Sequence, residues 1–121
     1  IVYRDFPLGF HDRAIPAAIA ANCAGEQDKY WEMHGVLMAN QTKLSDSDLA
    51  GFAQGVGVDM DKWTTCLSNP AQEAEVKKDM EDASAVGVTG TPAFFINGVL
   101  LSGAVPLDQF KSIIDKELAA L

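Results

Sequence analysis

Cysteine and histidine are scarce in this chain, and their spacing excludes the common metal sites. The 121 residues include two cysteines, Cys23 and Cys66, and two histidines, His11 and His34. The cysteines lie far apart, so the sequence has neither a Cys-x-x-Cys motif nor the paired spacing of a four-ligand zinc site. The histidines show no paired spacing either. We therefore expect no metal ion and no other bound cofactor.

Basic residues and long apolar runs are also lacking. The chain has 9 lysines and arginines against 17 aspartates and glutamates, which gives a net charge of -8. The longest basic run is Lys77-Lys78, and phosphate binding needs clustered cations, so we expect no nucleic-acid partner. No apolar run approaches the roughly 18 residues that a membrane-spanning helix needs. We therefore expect no membrane span.

The length and the apolar content fit one domain. With 121 residues, of which 48% are hydrophobic, the chain can bury a core but is too short for two domains. We therefore expect a single domain over residues 1–121. Residues 1–6 read as a strand that Pro7 ends. Because the sequence begins directly in this strand at Ile1, without methionine, we interpret it as a processed or excerpted chain.

The stretch GVTGTPAFFING, residues 87–98, contains a loop, a proline and a hairpin turn. Gly87 and Gly90 give the loop backbone freedom, and Pro92 stands where a strand can start without losing a ladder hydrogen bond. The apolar run 93–96 has strand propensity, and Asn97-Gly98 favours a type I′ turn. The chain then returns through residues 99–101. We predict an antiparallel hairpin whose strands are well buried.

Apolar residues recur at helical spacing over most of the remaining chain. The pattern predicts helices at about 13–24, 27–39 and 71–85, further helices after the caps Ser45 (with Asp48) and Asp59, and a last helix after Pro106. Cys23 and Cys66 fall on apolar helix faces and are expected to point inward. In the helix at 71–85 we expect Val76, Met80 and Ala83 to point inward. The charged face in solvent comprises Glu73, Glu75, Lys77, Lys78 and Glu81.

His34 lies on an apolar stripe with Tyr30, Leu37 and Met38, and Trp31 borders the stripe. No nucleophile or carboxylate stands nearby in the sequence to act with this imidazole. We therefore favour a hydrogen-bonded histidine between helices over a catalytic one.

The loop, Thr91-Pro92, the strand, the Asn-Gly turn and the closing helix together resemble the C-terminal half of a thioredoxin fold. More narrowly they resemble the DsbA-like thiol-disulfide oxidoreductases. The segments VYRDFPLGFH, CAGEQDKYWEMHGVL and DMDKWTTCL extend this resemblance over the whole chain. It implies an α/β, thioredoxin-like fold: a strand, a helical insertion at 12–86, a β-hairpin and a C-terminal helix. The family's first core β-α unit is missing.

The resemblance also implies the site residues. In the family the proline at Pro92 is cis and lies against the active-site disulfide, and the residue before it, here Thr91, offers its backbone to the substrate. Gly90 belongs to the same loop. The family's Cys-x-x-Cys lies upstream of the strand at which this chain begins, so we expect no catalytic residue here. Cys23 and Cys66 match a second cysteine pair of some members, which implies a structural disulfide; two buried free thiols are the alternative.

At family level the resemblance implies thiol-disulfide exchange on protein or peptide substrates in the bacterial periplasm or envelope, with a redox partner protein. We expect this chain alone to be redox-inactive. Two alternatives stay open. One is a non-catalytic module that binds extended peptides through the proline loop, and the other is a glutathione-dependent isomerase relative.

The missing first core β-α unit would leave a gap in the sheet of the resembled fold. In the resembled fold the first core strand lies between the strand at 1–6 and the strand at 94–96. Unpaired buried backbone groups cost roughly 1–3 kcal/mol each, so we expect the gap to be filled. A further segment, a second copy in a strand-swapped homo-oligomer, or a collapsed sheet would fill it.

Overall fold

The computed structural model describes residues 1–121 and contains six helices and two strands. In chain order these are α1 (Ala14–Gly25), α2 (Tyr30–Ala39), α3 (Asp46–Gly55), α4 (Met60–Leu67), α5 (Pro70–Ala85), β1 (Ala93–Ile96), β2 (Val99–Ser102) and α6 (Leu107–Ala119). The chain divides into two compact units, Ile1–Glu81 and Asp82–Leu121. The single domain over 1–121 and the insertion at 12–86 stay predictions.

The core of the first unit is built around α1, which contacts α2, α3 and α4. Small alanine side chains on α1 let these helices approach closely, and Trp63, only 2% exposed, fills the remaining space. Its indole N–H donates to the Ala20 carbonyl at 3.1 Å, so the one polar atom of the ring is satisfied. The core comprises Ala20, Ala21, Cys23, Ala24, Met33, Leu49, Ala53, Val58, Trp63 and Cys66.

Two helix starts in this unit are capped as the sequence predicts. The Ser45 hydroxyl accepts from the Asp48 N–H at 3.2 Å, and the Asp48 carboxylate accepts from the Ser45 N–H at 3.2 Å. This reciprocal pair is a capping box, with aspartate in the place of the usual glutamate. At α4 the Asp59 carboxylate accepts from the Lys62 N–H at 3.1 Å.

Helix α2 begins three residues later than the sequence pattern predicts. Asp28 has a φ of 60°, which a helix cannot contain, and the Gln27 side chain bonds the backbone of Asp59 instead. The predicted stripe on α2 is also wrong in one position. Met33 is fully buried, whereas Met38 is 48% exposed.

Residues 1–6 do not form the predicted strand. The only sheet has two strands, β1 and β2, so the collapsed sheet that was one way to fill the gap is not formed. A strand exists only through backbone hydrogen bonds to a neighbouring strand. The strand-like composition of this segment does not provide such a neighbour. Side-chain contacts described below hold the segment to its own unit.

The hairpin of the second unit has the predicted antiparallel register, with Phe94 opposite Leu101 and Ile96 opposite Val99. Asn97 and Gly98 have φ values of 49° and 83°, as a type I′ turn requires. The Asn97 amide donates to the Glu117 carboxylate of α6 at 2.8 Å.

The prediction that both hairpin strands are well buried is wrong. Phe94 contacts Phe110 of α6 edge to face at 4.8 Å, yet it is 37% exposed, and Phe95 is 47% exposed. Helix α6 itself has no buried residue. Two short strands and one helix have too few apolar neighbours to enclose side chains of this size.

Candidate functional site

The loop before β1 carries the three residues expected to face a substrate. Gly90 is half-buried, and Thr91 and Pro92 are exposed. The Thr91–Pro92 peptide bond is cis. The Pro92 carbonyl accepts from the Gly103 N–H at 2.8 Å, whereas the N–H and C=O of Thr91 make no hydrogen bond within the chain. Thr91 therefore presents unpaired backbone groups at the surface.

The same loop is anchored where it leaves α5. Gly87 has a φ of 94°, a left-handed conformation that glycine adopts readily, and its N–H donates to the Ser84 carbonyl at 3.2 Å. Val88 follows, 9% exposed, with its N–H bonded to the Ala83 carbonyl at 3.0 Å. These bonds end the helix and set the direction in which the loop begins.

The two cysteines are joined by a disulfide in the first unit. The Sγ atoms are 2.09 Å apart and the Cα atoms 5.8 Å apart, which links α1 to α4. Cys23 is fully buried and Cys66 is 8% exposed. The chain has no free cysteine, so it offers no thiol for exchange while this bond is intact. No group of three or more His, Cys, Asp or Glu side chains is placed to hold a metal ion.

Four aromatic rings form a cluster in the first unit, which we call the ring cluster: Tyr3, Tyr30, Trp31 and His34. Every pair among the four is in contact, with ring centroids between 4.7 Å (Tyr3 and His34) and 6.5 Å (Tyr3 and Trp31). Tyr3 is 46% exposed and Trp31 is 52% exposed. His34 therefore packs between aromatic rings, and two of the four rings, Tyr3 and Trp31, belong to residues that are about half exposed.

A buried carboxylate anchors residues 1–6 beside these rings. Asp79, 9% exposed on α5, accepts from the Arg4 guanidinium at 2.8 Å and from the Asp5 N–H at 3.0 Å. The Asp5 carboxylate in turn accepts from the Asn22 amide at 2.9 Å. These bonds hold the N-terminal segment against α1 and α5 without any strand pairing.

Burial and neighbouring charge shift the pKa values of three groups here. Burial raises the pKa of Asp5; the negative charges of Asp79 and Glu75 raise it further, while the Asn22 hydrogen bond and His34 lower it. Burial also raises the pKa of Tyr30 and of Tyr3, and the Asp5 charge adds to both shifts. Burial is the largest cause of each shift, and nearby carboxylates add to all three.

Sequence reasoning missed both the ring cluster and the buried Asp79. Asp79 follows Val76 by three residues, so helical spacing places it on the buried face of α5 that the sequence assigned to apolar side chains. The helical spacing therefore indicated that Asp79 is buried, but the charged residues around it favoured a solvent-exposed position. The approach of Tyr3 to His34 had no local signal, because the two residues belong to separate segments.

The family model of the DSBA-like thioredoxin domain matches residues 5–115. The chain belongs to this family. The membership predicted from the proline loop, the hairpin and the closing helix is thus confirmed, and the family is one of thiol-disulfide oxidoreductases. A solved structure agrees: a thioredoxin-like oxidoreductase from Silicibacter pomeroyi DSS-3 superimposes with a TM-score of 0.86 at 29% identity, over 99% of this chain and 69% of that one. The predicted thioredoxin-like α/β fold is confirmed.

Curated relatives of this DsbA-like domain carry the names of transporters. The Na(+)/H(+) antiporter NhaA 1 of Salinispora arenicola is 34% identical over 119 residues, and NhaA 3 of Salinispora tropica is 38% identical over 120 residues. Each alignment covers 98% of this chain but only 18% of the antiporter. The domain therefore spans about a fifth of these relatives. No helix of the domain combines the length and the apolar character needed to cross a membrane.

Proposed function

We propose that this DsbA-like domain takes part in thiol-disulfide exchange on protein substrates, and that Gly90, Thr91 and Pro92 form part of its substrate surface. The observation that carries the proposal is the family match over residues 5–115. The thioredoxin-like oxidoreductase with the same fold supports it. Sodium-proton antiport belongs to the named relatives and forms no part of the proposal.

The geometry of the loop supports the substrate surface. Thr91 is exposed, and its N–H and C=O are unused by the chain, whereas the neighbouring Pro92 carbonyl is held by Gly103. An extended peptide can therefore bond the Thr91 backbone while the loop stays fixed on its other side. Such pairing selects for an extended backbone and not for one side chain, which suits an enzyme that acts on many proteins.

The reactive dithiol of the proposal lies outside residues 1–121. In its disulfide form it accepts two electrons and two protons from two substrate thiols, through a mixed disulfide in which the attacking species is a thiolate. One S–S bond forms in the substrate, and the enzyme pair is left as two thiols. A partner protein that carries a disulfide would then reoxidise that pair. The 121 residues by themselves supply binding and no exchange, because their two cysteines are bonded and almost fully buried.

We place this activity in the bacterial envelope. The Cys23–Cys66 disulfide supports that location, since such bonds persist in oxidising compartments.

The backbone-pairing step can be tested with N-methylated peptides. An extended peptide bonded to Thr91 directs alternate N–H groups toward the loop, so N-methylation at alternate residues should abolish binding and N-methylation between them should not. Binding is followed by NMR shifts of the residues around Thr91. Equal tolerance of methylation at every position would contradict pairing through the backbone.

The exchange step is tested by insulin reduction. The 121-residue chain should not exceed the uncatalysed rate, and a longer protein that adds a Cys-x-x-Cys segment should exceed it. Activity that depends on the 121 residues alone would refute our assignment of roles.

A non-catalytic peptide-binding module is the second candidate, and the absence of a free cysteine favours it. Peptide binding without exchange in the longer protein would select this candidate. Specific glutathione binding, again without exchange, would select the isomerase relative.

A further inference from the structure

The ring cluster borders a cavity that carries excess negative charge. The cavity has a volume of about 490 Å³ and is lined by Val2, Tyr3, Arg4, Asp5, Asn22, Glu75 and Asp79. Tyr3 belongs to both the cavity wall and the ring cluster. Cavities of several hundred cubic ångströms are of the size that accepts small ligands or single side chains.

The charges of this lining are only partly balanced. Three carboxylates stand against the single guanidinium of Arg4, which is committed to Asp79. Asp5 accepts from the neutral Asn22 amide and gains no opposite charge from it. Glu75 is exposed at the cavity on α5. Burial is the largest cause of the raised pKa of Asp5; the Asn22 hydrogen bond and His34 lower it, and the charges of Asp79 and Glu75 raise it.

The rings add a second feature that favours a cation. A guanidinium stacks on an aromatic face and is attracted by its negative charge density, and it loses less hydration than an ammonium. Tyr3 offers a half-exposed ring in the same wall as the carboxylates, and Trp31 extends the aromatic surface.

We propose that the ring cluster and the adjacent cavity form a docking site for an arginine side chain of a partner polypeptide. The charge complementarity and the aromatic wall together select this occupant over a neutral apolar segment. The site is built only from residues of the first unit, and it does not depend on the thiol-disulfide exchange proposed above.

The test is an NMR titration of the 121-residue chain with acetyl-Gly-Arg-Gly-amide and with the same peptide containing citrulline, the neutral analogue of arginine. The arginine peptide should shift the Tyr3 amide and the Trp31 indole N–H in a saturable way, and the citrulline peptide should not. The indole N–H of buried Trp63 serves as an internal control that stays in place. Raising the salt concentration should weaken the binding.

Two matched pairs of variants assign the effect to residues. Glu75→Gln should weaken binding about 1.4- to fivefold, the range measured for exposed charge pairs. Glu73→Gln makes the same charge change on the same helix outside the cavity and should leave binding unchanged. Tyr3→Phe should preserve binding through the ring face, and Tyr3→Leu should weaken it.

Several results would overturn the proposal. These are equal binding of the citrulline peptide, equal effects of Glu75→Gln and Glu73→Gln, or no saturable shift at Tyr3. Self-association that Tyr3→Leu abolishes would assign the rings to a second copy of the chain and would also overturn it.

Discussion

Breaking the Cys23–Cys66 disulfide should strongly destabilise the first unit. The bond closes a loop with a sequence separation of 43 residues, for which the chain-entropy relation gives about 4 kcal/mol at 25 °C. Both sulfurs lie in the helical core, so reduction also replaces the S–S bond with two buried thiols. A domain of this size is stable by roughly 5–15 kcal/mol, so the loss is a large fraction of the total.

Urea unfolding with and without a phosphine reductant measures this loss. Trp63 reports on the core, and a Trp31→Phe background removes the exposed tryptophan from the signal. With an m-value of about 1.5 kcal/mol/M, reduction should lower the midpoint by roughly 2–3 M. The Cys23→Ala/Cys66→Ala double variant should unfold near the reduced protein and should not respond to reductant. An unchanged midpoint, with both thiols shown by mass spectrometry to be alkylated, would refute the entropic reasoning.

Two further predictions concern charge and backbone conformation. The folded pKa of Asp5 is raised, chiefly by burial, so its contribution to stability is present below the unfolded value of about 4 and is lost as pH rises through the folded value. Asp5→Asn should lack this loss. Urea midpoints of the two proteins, measured from about pH 3 to about pH 7, across the usual pKa of an aspartate carboxyl, should converge at low pH. Curves that stay parallel would contradict this reasoning. Gly98→Ala, at a φ of 83°, should destabilise the hairpin by about 1–2 kcal/mol. Gly51→Ala in the middle of α3, where an added Cβ meets no atom within 4 Å, should stabilise the protein by about 0.5–1 kcal/mol. If thermal unfolding showed that Gly98→Ala and Gly51→Ala change stability in the same direction, the turn assignment would be wrong.

The features that could be predicted from sequence depend on residues close together in the chain. Asn97-Gly98 selects its turn through the φ values that only such residues adopt readily, and Ser45 with Asp48 closes a capping box within one helical turn. The proline loop, the hairpin and the closing helix together indicated the family.

The features that were missed depend on contacts between distant segments. Asp79 is 75 residues from Arg4, and whether a carboxylate on α5 faces solvent or an arginine depends on where residues 1–6 are placed. Gln27 leaves the predicted helix because Asp59, 32 residues away, bonds its side chain. Residues 1–6 show the same dependence, since strand composition produces a strand only where a neighbouring backbone completes the ladder.

The sequence by itself determined much of the local structure of this domain: the hairpin turn, the helix caps at Ser45 and Asp59, and the loop that marks its family. The tertiary structure alone decided which charged and aromatic side chains meet, and therefore where the acidic cavity and the ring cluster lie. The physical reason is that local preferences are set by the backbone and by near neighbours, whereas burial and pairing of a side chain depend on segments that the fold brings together from far along the chain.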